Sequence, residues 1–216
     1  MAILKVYMIN KGELKELPEQ KAVFSSGDSY LVDSVDIDGN IWLWHGKNAS
    51  PDEKGTAAAA AKKLDDEKGG KPKVITIDQD DFTPNSRRFR SLCNEHLEGL
   101  MIVEKNLAES FLVHYEKEKV PPSLFKVSSE EFETINDIQY VQVPLKKESL
   151  DPDDVMLLFI PDEDKTYVWA GSQANVKEKV TGGKIARQFD KKMPGVQEEI
   201  FIDQGDEPEE FWSYFP

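Results

Sequence analysis

The sequence holds one cysteine, Cys93, three histidines, and no apolar run that approaches the length of a membrane span. A lone cysteine closes no internal disulfide, so the chain reads as a protein of a reducing interior, held together by its cores alone. The histidines, His45, His96 and His114, lack cysteine or carboxylate neighbours at zinc-ligand spacing. A glycine-rich phosphate loop is also missing: Gly69-Gly70 reads as a helix end, and Gly182-Gly183 falls inside a helical stretch. With no catalytic constellation left, an enzyme is not expected. Positive charge is the minority, 27 Lys and Arg against 41 Asp and Glu, for a net −14. That balance argues against nucleic acid as a partner. Divided at Pro121, the charge is 17 − 21 = −4 before and 10 − 20 = −10 after. Such acidity keeps a protein soluble and attracts basic surfaces or divalent cations. With no signal peptide at the N-terminus, a cytoplasmic monomer is expected.

What the chain does have is a copy of itself. Residues 41–81 and 166–206 align without a gap at an offset of 125, with 14 of 41 positions identical. Composition alone would give roughly two or three. Trp44/Trp169, Gly46/Gly171, Glu53/Glu178, Asp65/Asp190, Gly70/Gly195 and Gln79/Gln204 are among the identities. A repeat of this length is a domain, not a solenoid unit. At 39% hydrophobic and 10% aromatic residues, two copies of about 100 residues can each hold a core.

Each copy opens on an apolar stretch, Ile3–Met8 or Leu124–Val127, followed by a hairpin. In the first copy Ser29–Val32 and Ile41–Trp44 flank the turn signal Asp38-Gly39; in the second Val155–Ile160 and Thr166–Trp169 flank 161–164. A Trp-x-Gly ends each return strand. Ser50-Pro51-Asp52-Glu53 then forms a capping box and starts a helix over about 52–66; Asn175-Val176-Lys177-Glu178 starts another over about 177–192. Strands at 73–77 and 199–202 follow, then short helices led by Thr83-Pro84 and Glu207-Pro208. These patterns predict domains at 1–90 and 122–216, of mixed α/β (α+β) class. Residues 91–121 have no counterpart after the second copy. Leu97, Leu100, Met101, Leu107, Phe111 and Leu112 recur there at helical spacing, which predicts a helical connector.

Asp33…Asp36-Ile37-Asp38-Gly39 is no EF-hand. With Gly39 at loop position six, His45 falls where a bidentate glutamate is needed. Two acidic sets occur twice. Gly27-Asp28 with Glu53 matches Asp153-Asp154 with Glu178. If the strand end lies beside the helix start, a carbonyl and two carboxylates converge, hard ligands suited to calcium; capping alone also accounts for the glutamates. Asp65 before Gly70 matches Asp190 before Gly195. Carboxylates at a helix C-terminus oppose the macrodipole by about 0.3–1 kcal/mol each. Retained in both copies, they suggest either a cation shared with a partner or a solvated acidic end.

The ordered set Ser26-Gly27-Asp28-Ser29-Tyr30-Leu31-Val32, Ile41-Trp42-Leu43-Trp44-His45-Gly46, Asp52-Glu53-Lys54-Gly55-Thr56-Ala57-Ala58-Ala59 and Glu207-Pro208-Glu209-Glu210-Phe211-Trp212 resembles the gelsolin/villin family of actin-regulating domains. The resemblance spans both copies. It implies a central sheet between a long and a short helix, calcium as the cofactor, and actin as the partner to be severed, capped or sequestered. It maps an intradomain calcium site onto the Gly27 carbonyl, Asp28 and Glu53, and onto the Asp153 carbonyl, Asp154 and Glu178. A second calcium, shared with actin, maps onto Asp65 and the carbonyls near Gly70 and Pro72, with Asp190 and Gly195 in the second copy. The actin-facing helix residues are expected to be Ala57, Ala61 and Leu64 in the first copy, and Gly182, Ile185 and Phe189 in the second. The first copy departs from the family in offering alanines where bulky apolar residues are usual, and in lacking the Glu-Pro ending. A rival reading is a protein-interaction module of the same fold that binds no actin; a third is a plain calcium-responsive acidic protein.

Overall fold

The structure, a computed structural model, describes residues 4–10, 13–17, 22–104, 120–128, 139–174, 187 and 197–216. The chain divides into two units, Met1–Leu112 and Val113–Pro216. Among the described residues no helix is long and apolar enough to cross a membrane.

The first unit is built on β1 (Lys5–Asn10), β2 (Glu13–Glu16), β4 (Ser29–Ser34), β5 (Asn40–His45) and β6 (Lys73–Asp78), in the order β2-β1-β4-β5-β6. Its pairs are antiparallel except β5–β6, which is parallel. A parallel pair needs a long connection, and the long helix α2 (Pro51–Glu67) supplies it. The expected turn at Asp38-Gly39 is present. One helical turn, α1 (Val35–Asp38), ends there with Gly39 at φ +76°, a left-handed conformation that glycine adopts without strain. The side-chain period of two separates two cores. Leu31, Ile41 and Leu43 face α2 and pack with its Ala57 and Ala61. Tyr30, Trp42 and Trp44 face the other way. They pack with Phe24 of β3 (Val23–Ser25) and Phe89 of α3 (Pro84–His96), with Phe24 and Tyr30 stacked at 4.2 Å. The sheet therefore lies between a long and a short helix.

The second unit repeats this strand plan. Its strands are β8 (Ser123–Ser128), β9 (Gln139–Val143), β10 (Val155–Ile160), β11 (Lys165–Ala170) and β12 (Glu198–Asp203). They run β9-β8-β10-β11-β12, antiparallel except for the parallel β11–β12 pair. This is the order and sense of the first sheet, strand for strand. Trp44 and Trp169 occupy equivalent positions on β5 and β11. Below Trp169, a core of Leu124, Met156, Leu158, Tyr167 and Ile202 packs against Phe211 of the short helix α4 (Glu209–Ser213).

Residues 91–121 are not the single helical connector expected. Helix α3 covers 84–96, but Leu100 and Met101 lie on strand β7 (Leu100–Val103), which pairs in parallel with β3. Glu98 (φ 59°) and Gly99 (φ 90°) break the helix before it. The run Leu-Met-Ile-Val is buried along its whole length, and a fully buried strand shows no alternation to tell it from a helix. Part of the expected connector thus belongs to the first unit. Its remainder, 105–119, lies outside the described residues, as does the second long helix apart from Arg187.

Candidate functional site

Each repeat carries the same crossing of backbone at its Trp-x-Gly. The Gly46 N–H donates to the Asp28 carbonyl (2.9 Å), as the Gly171 N–H does to that of Asp154 (2.9 Å). The Asn48 N–H reaches the Ser26 carbonyl (2.8 Å), and the Gln173 N–H the Pro152 carbonyl (2.9 Å). The two segments approach so closely that a Cβ on Gly46 would stand 2.3 Å from the Ser26 oxygen, and one on Gly171 2.1 Å from that of Pro152. This contact, and not a turn conformation, requires glycine. It also fixes Asp28 and Asp154 at the starts of β4 and β10, where both are buried, 8% and 2% exposed.

The paired glutamines Gln79 and Gln204 lock the same crossing. Their N–H groups donate to the carbonyls of His45 (2.8 Å) and Ala170 (2.9 Å). Their side-chain oxygens accept from the N–H groups of Lys47 (3.2 Å) and Ser172 (2.8 Å). Their identity in the alignment was the one signal of this role. His45 has no histidine counterpart in the second repeat, where Ala170 stands. Its Nδ1 meets the Ser29 hydroxyl at 2.8 Å, and burial, then the charge of Lys54, lower its pKa against the opposing pull of Asp78.

Glu53 is committed to the helix start. Its carboxylate accepts from the Ser50 N–H (2.8 Å) while its own N–H donates to the Ser50 hydroxyl (3.2 Å). Among the described residues no three His, Cys, Asp or Glu side chains cluster to hold a metal. In the second repeat the ammonium of Lys126 stands 2.5 Å from Asp154 Oδ2. A calcium site built on Asp154 does not fit that arrangement. Asp153 is exposed beside it, its N–H donating to Asp151 (3.1 Å); Glu178 lies outside the described residues.

The end of α2 is different. Asp65 is half-buried, and its Oδ1 is shut off from solvent with no hydrogen-bond partner. Its carbonyl accepts from the N–H groups of Lys68 (3.1 Å) and Gly70 (2.9 Å) as the chain leaves the helix. Lys68 does not offset this acidity, because its ammonium pairs with Asp33 on β4 at 2.8 Å. Lys62–Asp66 and Lys63–Glu67 are exposed pairs at 3.5 and 4.0 Å, worth about 0.3–0.5 kcal/mol each. A half-buried carboxylate with an unsatisfied oxygen has acceptor capacity left for a cation.

The expected partner-facing residues of α2 need correction. Ala57 and Ala61 are wholly buried against β4 and β5, and Leu64 packs on the same cluster. Four residues apart, they form the inward stripe of the helix. Its outer face instead presents Gly55, Ala58, Ala59, Lys62 and Lys63, all exposed. Gly182, Ile185, Phe189 and Asp190 lie outside the described residues.

The gelsolin repeat model matches residues 13–85 and 136–212, one match to each unit. The chain belongs to the gelsolin family. It is 28% identical over 219 residues to gelsolin-like protein 1 of Caenorhabditis elegans, covering 98% of this chain and 43% of that one. Against cytoplasmic gelsolin of Homarus americanus, identity is 30% over 197 residues, covering 88% of this chain and 24% of that one. This gelsolin-family chain therefore spans less than half the length of those relatives. Among solved structures, the Thorarchaeota 2DGel3/rabbit actin complex contains a chain 31% identical, matched over 99% of both chains with a TM-score of 0.38.

Proposed function

We propose that this two-repeat gelsolin is a calcium-dependent actin-binding protein that works as a cytoplasmic monomer. It has no chemistry to perform; binding energy alone would sever, cap or sequester. The observation that carries the reading is the half-buried Asp65 at the end of α2, one of whose carboxylate oxygens has no hydrogen-bond partner, on a helix whose outer face presents small residues. Small side chains let a helix lie close in a groove of its partner. Calcium would be held by Asp65 and the carbonyl groups of the 70–72 turn, and would join Asp65 to a carboxylate of actin, since like charges that close need a cation between them.

Family membership supports actin as the partner. The absence of large apolar residues from the outer face of α2 favours the rival, a gelsolin-fold interaction module that does not bind actin. Sedimentation and pyrene-actin assays in calcium and in chelator separate the two. Binding that needs calcium and loses that need in Asp65→Asn supports the shared cation. Equal activity in calcium and chelator refutes the cation, and no binding in either condition leaves the interaction module.

A further inference from the structure

The two repeats part company at one position beside their buried aspartates. Strand β10 starts one residue after Asp154 as β4 starts one residue after Asp28, so Met156 is the counterpart of Tyr30. In β1–β4 the residue paired with Tyr30 is Met8; in β8–β10 the residue paired with Met156 is Lys126. The same place in the fold therefore carries a thioether in one repeat and an ammonium in the other. That ammonium lies 2.5 Å from Asp154 Oδ2, with the carboxylate 2% exposed and the lysine side chain 36%.

We propose that Lys126 is a built-in counter-ion that takes the place of a divalent cation, so that the second repeat is complete without calcium. Calcium binds carboxylate oxygen at about 2.3–2.6 Å. The ammonium already sits at that distance from the same oxygen. Both cannot occupy it, and a calcium ion brought near would also meet the lysine's like charge across a poorly solvated gap. A carboxylate this buried needs a positive partner to stay ionised. Lys126 provides one on the same sheet, at no cost in affinity for a scarce ion. The partly exposed stem of Lys126 shows that the exclusion is electrostatic competition and not a sealed cavity. The proposal holds whether or not the chain binds actin.

The test is an amide NMR titration of the full chain with calcium chloride to about 5 mM, beyond the weak millimolar class of protein sites. In the wild type, amides 153–156 and 171–173 should stay in place. In Lys126→Met, which installs the first repeat's residue, they should move, with calcium affinity at least roughly tenfold tighter than in the wild type. The melting temperature of that variant should fall in chelator and recover in calcium. Lys126→Met/Asp154→Asn removes both charges, keeps the fold and should show no calcium response. Movement of amides 153–156 in the wild type overturns the proposal, and this result needs no variant to fold. A folded Lys126→Met chain whose amides ignore calcium overturns it equally, because the lysine is then not what keeps the ion out.

Discussion

Gly46→Ala tests the backbone crossing on which both repeats are organised. The new Cβ would stand 2.3 Å from the Ser26 oxygen, 2.5 Å from its carbon and 2.7 Å from the Ser25 oxygen. All three are backbone atoms, so no flexible side chain can yield. The Ser26 segment is also held from behind, its N–H donating to Val103 at 2.9 Å. Relief by about 1 Å must therefore stretch Gly46 N–H to Asp28 or Asn48 N–H to Ser26, now 2.9 and 2.8 Å. Overpacking costs about 1–3 kcal/mol, and each lost hydrogen bond about 1 kcal/mol. The sum is roughly 2–5 kcal/mol against a domain stability of about 5–15 kcal/mol. For a unit of this size each kcal/mol lowers the melting temperature by about 4–8 °C, so a fall of at least about 8 °C is expected. Calorimetry, with Trp42 and Trp44 fluorescence reporting on the first core, measures it. Gly55→Ala is the control: its Cβ meets nothing within 4 Å on an exposed helix face, and it should stabilise by about 0.4–1 kcal/mol. Gly46→Ala melting within about 2 °C of the wild type would refute the reasoning.

Ala61→Glu and Ala59→Glu should behave oppositely: the first buries an unpaired charge and unfolds the first repeat, while the second stays folded by circular dichroism and weakens actin sedimentation. Gln204→Ala should free the Ser172 N–H to water and lower stability by about 0.5–1.5 kcal/mol in urea titration, without displacing the Trp169 core. His45 is held neutral by burial, so its folded pKa lies below its unfolded value of 6.5. Its contribution is full above about pH 6.5 and is lost as pH falls through the folded pKa. His45→Ala, the second repeat's residue at this position, should flatten the stability curve on the acid side of pH 6.5 relative to the wild type; an unchanged slope rules out this role.

The duplication, the class of fold and the starts of the helices at Pro51 and Pro84 were legible in one dimension because their causes are local. The capping box at Ser50–Glu53, Pro84 after Thr83 and the left-handed Gly39 act within a few residues of themselves. The parallel β3–β7 pair was not legible, because its partners lie more than seventy residues apart and a fully buried run has no period to read. The site divides in the same way. Asp28, Asp154 and Asp65 stood out because acids persist in both copies where capping or the helix dipole does not require them. The face of α2 expected to meet a partner, with Ala57, Ala61 and Leu64, is the buried one: a run of five alanines at 57–61 has no amphipathic contrast to tell its faces apart, and the sheet decided the matter by covering Ala57 and Ala61. Lys126 was invisible as a partner of Asp154, 28 residues away. Only the antiparallel register of β8 with β10 sets that ammonium beside the carboxylate, because Coulomb attraction depends on distance in space and not along the chain.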